Sequence, residues 1–112
     1  MSLTIYHNPR CGKSRDTMAL LEQRGLKPRV VEYLREPPSA SELKAILAAL
    51  GFKAKDLVRK KEAAEVGVDL QWPEAKLIDA MVKHPIIIER PVVVVGQKAA
   101  LGRPPENVLT LF

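Results

Sequence analysis

The sequence predicts an α/β fold, a four-stranded mixed sheet with an all-helical insertion at about residues 39–84. Three observations carry this. A strand-like run, a helix-like run and a second strand-like run follow one another within the first 34 residues. A proline-rich break then opens a stretch in which apolar residues recur only at helical spacing. After that stretch, valines without interruption lead through a Gly-containing turn into a second short strand. The expected organisation is one domain over residues 1–112, with a core of 1–38 and 85–112 around the insertion.

Each element has a local cause. Leu3-Thr4-Ile5-Tyr6 alternates and ends at the turn-rich His7-Asn8-Pro9-Arg10, so it reads as strand one. From Ser14 to Arg24, Met18, Leu20 and Leu21 fall at helical spacing, and Gly25 is a natural stop. Arg29 to Leu34 is strand two, β-branched at its centre. Pro37-Pro38 breaks the chain, and Ser39 or Ser41 caps a helix through Leu43, Ile46, Leu47 and Leu50, closed by Gly51. Ala54 to Lys61 is expected as a shorter helix that Arg59 helps to end, and Pro73 to Lys83 as another, with Pro73 in its first turn. Ile86-Ile87-Ile88 and then Val92 to Val95 read as strand covered on both faces. Gly96-Gln97 turns into Lys98 to Leu101, an antiparallel partner, and Gly102-Arg103-Pro104-Pro105 begins a last short helix with Val108, Leu109 and Leu111. The first βαβ unit must be parallel and right-handed. With the hairpin added, the order is that of a thioredoxin-like fold.

Composition excludes several classes. A hydrophobic fraction of 46% with 28% charged residues is that of a soluble globule. No apolar run approaches the ~20 residues of a membrane span. The N-terminus passes straight into a strand pattern, so no signal peptide is expected and the reading is cytoplasmic. The net charge of +5 suits an anionic ligand. The five aromatics (one Trp, two Tyr, two Phe) do not interleave with basic residues, so no nucleic-acid platform is expected. No His, Cys, Asp and Glu spacing suits a metal, and no Gly-rich loop suits a nucleotide. No bound cofactor is expected, and a monomer is.

The single cysteine rules out an internal disulfide and suits a reducing compartment. Cys11 falls where strand one passes into the first helix. Helix N-termini present unpaired N–H groups and partial positive charge. An ordinary thiol is only about 3% thiolate at pH 7. A hundredfold shift toward thiolate needs roughly 2.7 kcal/mol. The helix end supplies ~0.3–2 kcal/mol of it. Cations must supply the rest, and Arg10, Lys13, Arg15 and His7 are near in sequence. A free cysteine is often simply buried and inert, but here it follows a polar, Pro-containing turn. Cys11-Gly12-Lys13-Ser14 has C-x-x-C spacing with serine in second place, so a resolving sulfur must come from another molecule. Ser14 can bond the sulfur or cap the helix.

Three arginines could meet that thiol. Arg90 precedes Pro91 at the entry to the central strand, and in a thioredoxin-like fold that proline is cis and faces the reactive cysteine. Arg103 lies between the hairpin and the last helix, and Arg59 in Leu57-Val58-Arg59-Lys60-Lys61. Arginine's planar fork holds a tetrahedral oxyanion bidentately, which lysine does not. A phosphate-like oxyanion carries ~−1.5 to −2 charge, so several cations are needed before a thiolate can approach it. Each arginine also has a plainer reading: Arg59 as part of a solvated basic face, Arg90 and Arg103 as turn residues before proline.

His7-Asn8-Pro9-Arg10-Cys11-Gly12-Lys13-Ser14-Arg15, Tyr33-Leu34, Leu57 to Lys60, His84-Pro85-Ile86, Glu89 to Val93 and Gly102 to Glu106 together resemble the glutaredoxin-coupled arsenate reductase (ArsC) family, in its shorter branch. The resemblance implies that Cys11 attacks arsenate while Arg59, Arg90 and Arg103 hold the oxyanion and stabilise the thiolate, with His7 and Ser14 flanking the cysteine. It implies glutathione as co-substrate: glutathione attacks the cysteinyl arsenate, glutaredoxin reduces the mixed species, and arsenite leaves. Arg10 stands where established members tend to have a small residue. Two other readings use the same scaffold. One is a glutathione-dependent thiol oxidoreductase with another substrate. The other is an Spx-like regulator of RNA polymerase, which Ser14 disfavours because such regulators often switch through C-x-x-C. His84 reads as a helix C-terminal cap and Trp72 as a hydrophobic staple.

Overall fold

The computed structural model describes residues 2–112 and divides them into two compact units, one formed by the chain up to Glu36 with Arg90–Phe112, the other by Pro37–Glu89. The first unit holds the sheet. Its strands are β1 (Leu3–His7), β2 (Arg29–Glu32), β3 (Val92–Val95) and β4 (Lys98–Leu101), in spatial order β2-β1-β3-β4. β1 runs parallel to β2, pairing His7 with Glu32 at their carboxyl ends. β3 is antiparallel to both β1 and β4. This is the mixed sheet of a thioredoxin-like fold.

Helix α1 (Gly12–Gln23) connects β1 to β2 and starts two residues before Ser14, with Cys11 as its N-cap. Its end is tight: Gly25 takes φ 73°, a left-handed conformation open to glycine, and Leu26 N–H returns to the Leu21 carbonyl. Leu21 packs with Ile5, Val93 and Val108, all fully buried, and Leu3, Met18 and Ala100 close around them. That core joins α1, both central strands and the C-terminal turn of the chain. β2 stops at Glu32 rather than Leu34, because the Glu32 carbonyl accepts both Arg35 and Glu36 N–H groups and bends the chain away. The C-terminal element, Pro105–Leu111, is a 3₁₀ helix, closed by i→i+3 bonds such as Phe112 N–H to the Leu109 carbonyl. Seven residues beginning at the second of two prolines do not separate the two helix types by periodicity.

The second unit is built from α2 (Ala40–Leu50), α3 (Lys60–Glu65) and α4 (Glu74–Lys83), with 3₁₀ turns at Ala54–Leu57 and Pro85–Ile87. Ser39, not Ser41, caps α2: its hydroxyl accepts Glu42 N–H while the Glu42 carboxylate accepts Ser39 N–H, a reciprocal capping box. The expected helix over 54–61 breaks in two. Val58 and Arg59 are extended, and Val58 bridges Ile88 with flanking bonds from Arg59 N–H to the Ile87 carbonyl and Glu89 N–H to the Leu57 carbonyl. Val58 and Ile88 are both buried, and extended backbone suits their β-branched side chains. Ile86-Ile87 correspondingly belongs to a 3₁₀ turn rather than a strand. Arg59 therefore does not end a helix; it is the N-cap of α3. Trp72 carries Lys76 over its ring, 3.9 Å from the centroid. Among the described residues, no helix is long and apolar enough to cross a membrane.

Candidate active site

The turn between β1 and α1 is built by Asn8, a buried residue that periodicity does not single out. Its side-chain oxygen accepts Arg10 N–H at 3.0 Å, an Asx turn, and its carbonyl accepts Cys11 N–H at 3.0 Å. Its own N–H donates to Ser14 Oγ at 3.0 Å. The signal was present in the sequence, since Asn before Pro favours turn initiation. This turn sets Cys11 in extended backbone, φ −93° and ψ 123°, at the mouth of α1. The thiol is free and partly exposed.

Ser14 is fully buried, and its hydroxyl is engaged away from the sulfur. It shares a 2.6 Å hydrogen bond with His7 Nδ1 and accepts Asn8 N–H. Ser14 acts on the sulfur through its backbone N–H instead. Burial pushes the Cys11 thiol up. The backbone of Ser14, the Arg90 guanidinium and the backbone of Lys13 outweigh it and hold the thiol below its ordinary value. Burial lowers His7, which Glu32 opposes and Arg15 reinforces, so the imidazole favours its neutral form.

The cations at the sulfur come from far along the chain. Arg103 Nη2 lies 3.6 Å from Cys11 Sγ, across 92 residues of sequence. Arg103 Nε donates to the Arg90 carbonyl at 2.8 Å, which fixes the guanidinium plane. Arg90 reaches the same sulfur. The sequence neighbours do other things: Arg15 Nη1 donates to the Pro9 carbonyl at 3.0 Å, and Arg10 is exposed. Nearness in sequence was thus a poor guide to which charges face Cys11.

The Arg90–Pro91 and Arg103–Pro104 peptide bonds are both cis. Gly102 closes this corner. Its N–H donates to the Pro91 carbonyl at 2.9 Å, and an added Cβ would collide with Thr17 Oγ1 and stand 2.7 Å from Pro91 Cγ. Thr17 itself is buried and donates to the Lys13 carbonyl one helical turn back. Gly102 and Thr17 carry no chemistry that a sequence scan would flag, yet they set how closely Pro91 meets α1.

Arg59 belongs to the second unit, where Nε donates to Glu62 at 3.1 Å and Nη1 to Glu89 at 2.9 Å. Both partners are partly buried, so the fork is held in one orientation. Among the described residues, no group of three His, Cys, Asp or Glu could hold a metal. The first unit therefore brings Cys11, Arg90, Arg103, Pro91, Ser14 and His7 together. A thiol with main-chain N–H groups on one side and two guanidiniums on another can hold negative charge as a thiolate and on an adjacent anion.

Known proteins share this chain's sequence and fold. The model of the ArsC family matches residues 6–111. An arsenate reductase of Rhizobium meliloti (strain 1021) is 46% identical over 115 residues, covering 100% of this chain and 82% of the relative. The uncharacterised protein YfgD of Escherichia coli (strain K12) is 47% identical over 111 residues, covering 96% and 93%. The solved structure of an arsenate reductase from Vibrio cholerae superposes with a TM-score of 0.91 at 44% identity, covering 100% of this chain and 98% of that one. With the family matched from the first strand to the last turn, the chain belongs to the ArsC family.

Proposed function

We propose that this protein reduces arsenate to arsenite, with Cys11 as nucleophile. The observation that carries the reading is the pair of arginines on the Cys11 sulfur, Arg103 at 3.6 Å and Arg90 lowering the thiol. The arsenate reductases among its relatives support the choice of oxyanion.

The thiolate attacks arsenic, an arsenic–oxygen bond breaks, and the oxygen leaves as water after taking a proton. Arg90 and Arg103 lower the repulsion between two anions and stabilise charge on the remaining oxygens. By resemblance, Arg59 adds a third guanidinium, and its two carboxylate partners position it. Reduction of arsenic from the pentavalent to the trivalent state takes two electrons, which two thiol equivalents supply in becoming a disulfide. Ser14 in place of a second cysteine assigns both to donors from outside, glutathione with glutaredoxin. His7 and Ser14 keep the turn rigid beneath the thiol, and cis Pro91 forms the opposite wall. The protein works as a cytoplasmic monomer of one domain, without bound cofactor, metal, membrane or nucleic acid.

The donor is tested by following arsenite with glutathione plus glutaredoxin, and separately with a thioredoxin system. Turnover with the first and not the second is expected. Turnover only with thioredoxin overturns the donor assignment, and none with either overturns the activity.

A further inference from the structure

A groove of about 430 Å³ opens beside the Cys11 turn, lined by His7 to Arg10 and by Glu32, Leu34 and Arg35. It lies entirely within the first unit, at the paired carboxyl ends of the parallel strands β1 and β2. Its volume falls in the ~300–1,000 Å³ of small-molecule sites. None of the residues that act on the thiolate through charge, Arg90 and Arg103, lines it. It is a second site next to the first.

The charges in the groove are mixed. Arg10 and Arg35 offer two cationic forks, and Glu32 offers one carboxylate 4.0 Å from Arg35. A tetrahedral oxyanion would find Glu32 repulsive. A ligand with two carboxylates and one ammonium would find a partner for each group. Pro9 and Leu34, the latter 40% exposed, supply apolar wall for the methylenes between them. The wall of the groove is the same turn that carries the nucleophile: Arg10 lines it, and the Asn8 carbonyl in it accepts the Cys11 N–H.

We propose that this groove binds the charged peptide frame of the thiol donor, a zwitterion with two carboxylates and one ammonium such as glutathione, through Arg10, Arg35 and Glu32. The inference rests on the thiol-coupled reading above, and it assigns that reading's co-substrate a place. It also gives Arg10 a task next to the nucleophile.

The test uses thiol–disulfide exchange, which needs no arsenate. The Cys11 thiolate attacks oxidised glutathione, forms a mixed disulfide and releases one glutathione thiolate. Its rate is measured by mass spectrometry for the wild type and for Arg35→Glu and Arg10→Glu, with oxidised glutathione and with the neutral hydroxyethyl disulfide. Reversing either groove charge should slow the glutathione reaction about three- to tenfold, the size expected for exposed charge pairs lost and made repulsive. The neutral reaction should not change, which separates recognition from altered thiol reactivity. Lys27→Glu reverses an exposed charge outside the groove and away from the Cys11 turn, and should not reproduce the selective loss. Equal slowing with both disulfides, no slowing with either, or the same selective loss in Lys27→Glu overturns the proposal. Absence of arsenate turnover in the wild type would overturn the parent activity and leave this exchange measurement standing.

Discussion

At the scale of single residues, the properties of Cys11 are set by what the fold brings to its sulfur. The main chain of Ser14 and Lys13 and the guanidinium of Arg90 overcome the cost of partial burial. A depressed thiol shows itself in alkylation: the rate should follow an apparent pKa below that of a free thiol, and Arg90→Lys should move it upward, since lysine offers a point charge without the fork. Iodoacetamide kinetics against pH check both. The same shift links to stability. Because the folded thiol holds its proton less tightly than the unfolded one, Cys11 stabilises the fold above the ordinary thiol pKa, and this is lost as pH falls through the folded value. His7 works in the same direction: its lowered pKa makes protonation costly in the folded state, so its contribution also falls away below the imidazole's ordinary range. Wild type should therefore lose denaturant stability on acidification more steeply than His7→Gln. Equal slopes would contradict the burial of His7.

At the scale of elements, much of the architecture followed from patterns with a single physical solution. β1, α1 and the hairpin to β4 rest on alternation, on helical spacing and on a Gly turn, whereas the uninterrupted apolar run that located β3 is ambiguous and placed Ile86-Ile87 in a strand they do not form. The segment around Arg59 was not legible, because its extended form depends on Ile88, thirty residues on, and local spacing holds no trace of that bridge. The site divides the same way. Cys11 was visible at the passage from strand one into the first helix, although residue type pointed to Ser14 as the cap, whereas Asn8, Thr17 and Gly102 act through turn geometry and close packing. Two measurements address these elements. Ser39→Ala should cost about 1 kcal/mol in urea unfolding, as lost N-caps do. Gly102→Ala should cost roughly 1–3 kcal/mol through overpacking against Thr17 and Pro91. It should also disturb the thiol pKa, since Arg103 is the next residue; a stable variant with unchanged thiol would reject Gly102 as the positioning element.

For the molecule as a whole, charge and chemistry point the same way. A net charge of +5 and an isoelectric point near 9.6 favour an anionic substrate over distance, and salt screens that attraction. The apparent KM for arsenate should thus rise with ionic strength, while the neutral-disulfide exchange rate at Cys11 should barely respond. A KM indifferent to salt would place the recognition wholly in short contacts. The one-cysteine composition makes the strongest claim, that a single sulfur starts the reaction and an external thiol finishes it. The direct measurement is arsenite formed per enzyme with glutathione and glutaredoxin, for wild type and Cys11→Ser together. The account predicts multiple turnovers for the wild type and none above background for Cys11→Ser; turnover that survives the loss of Cys11 would contradict it.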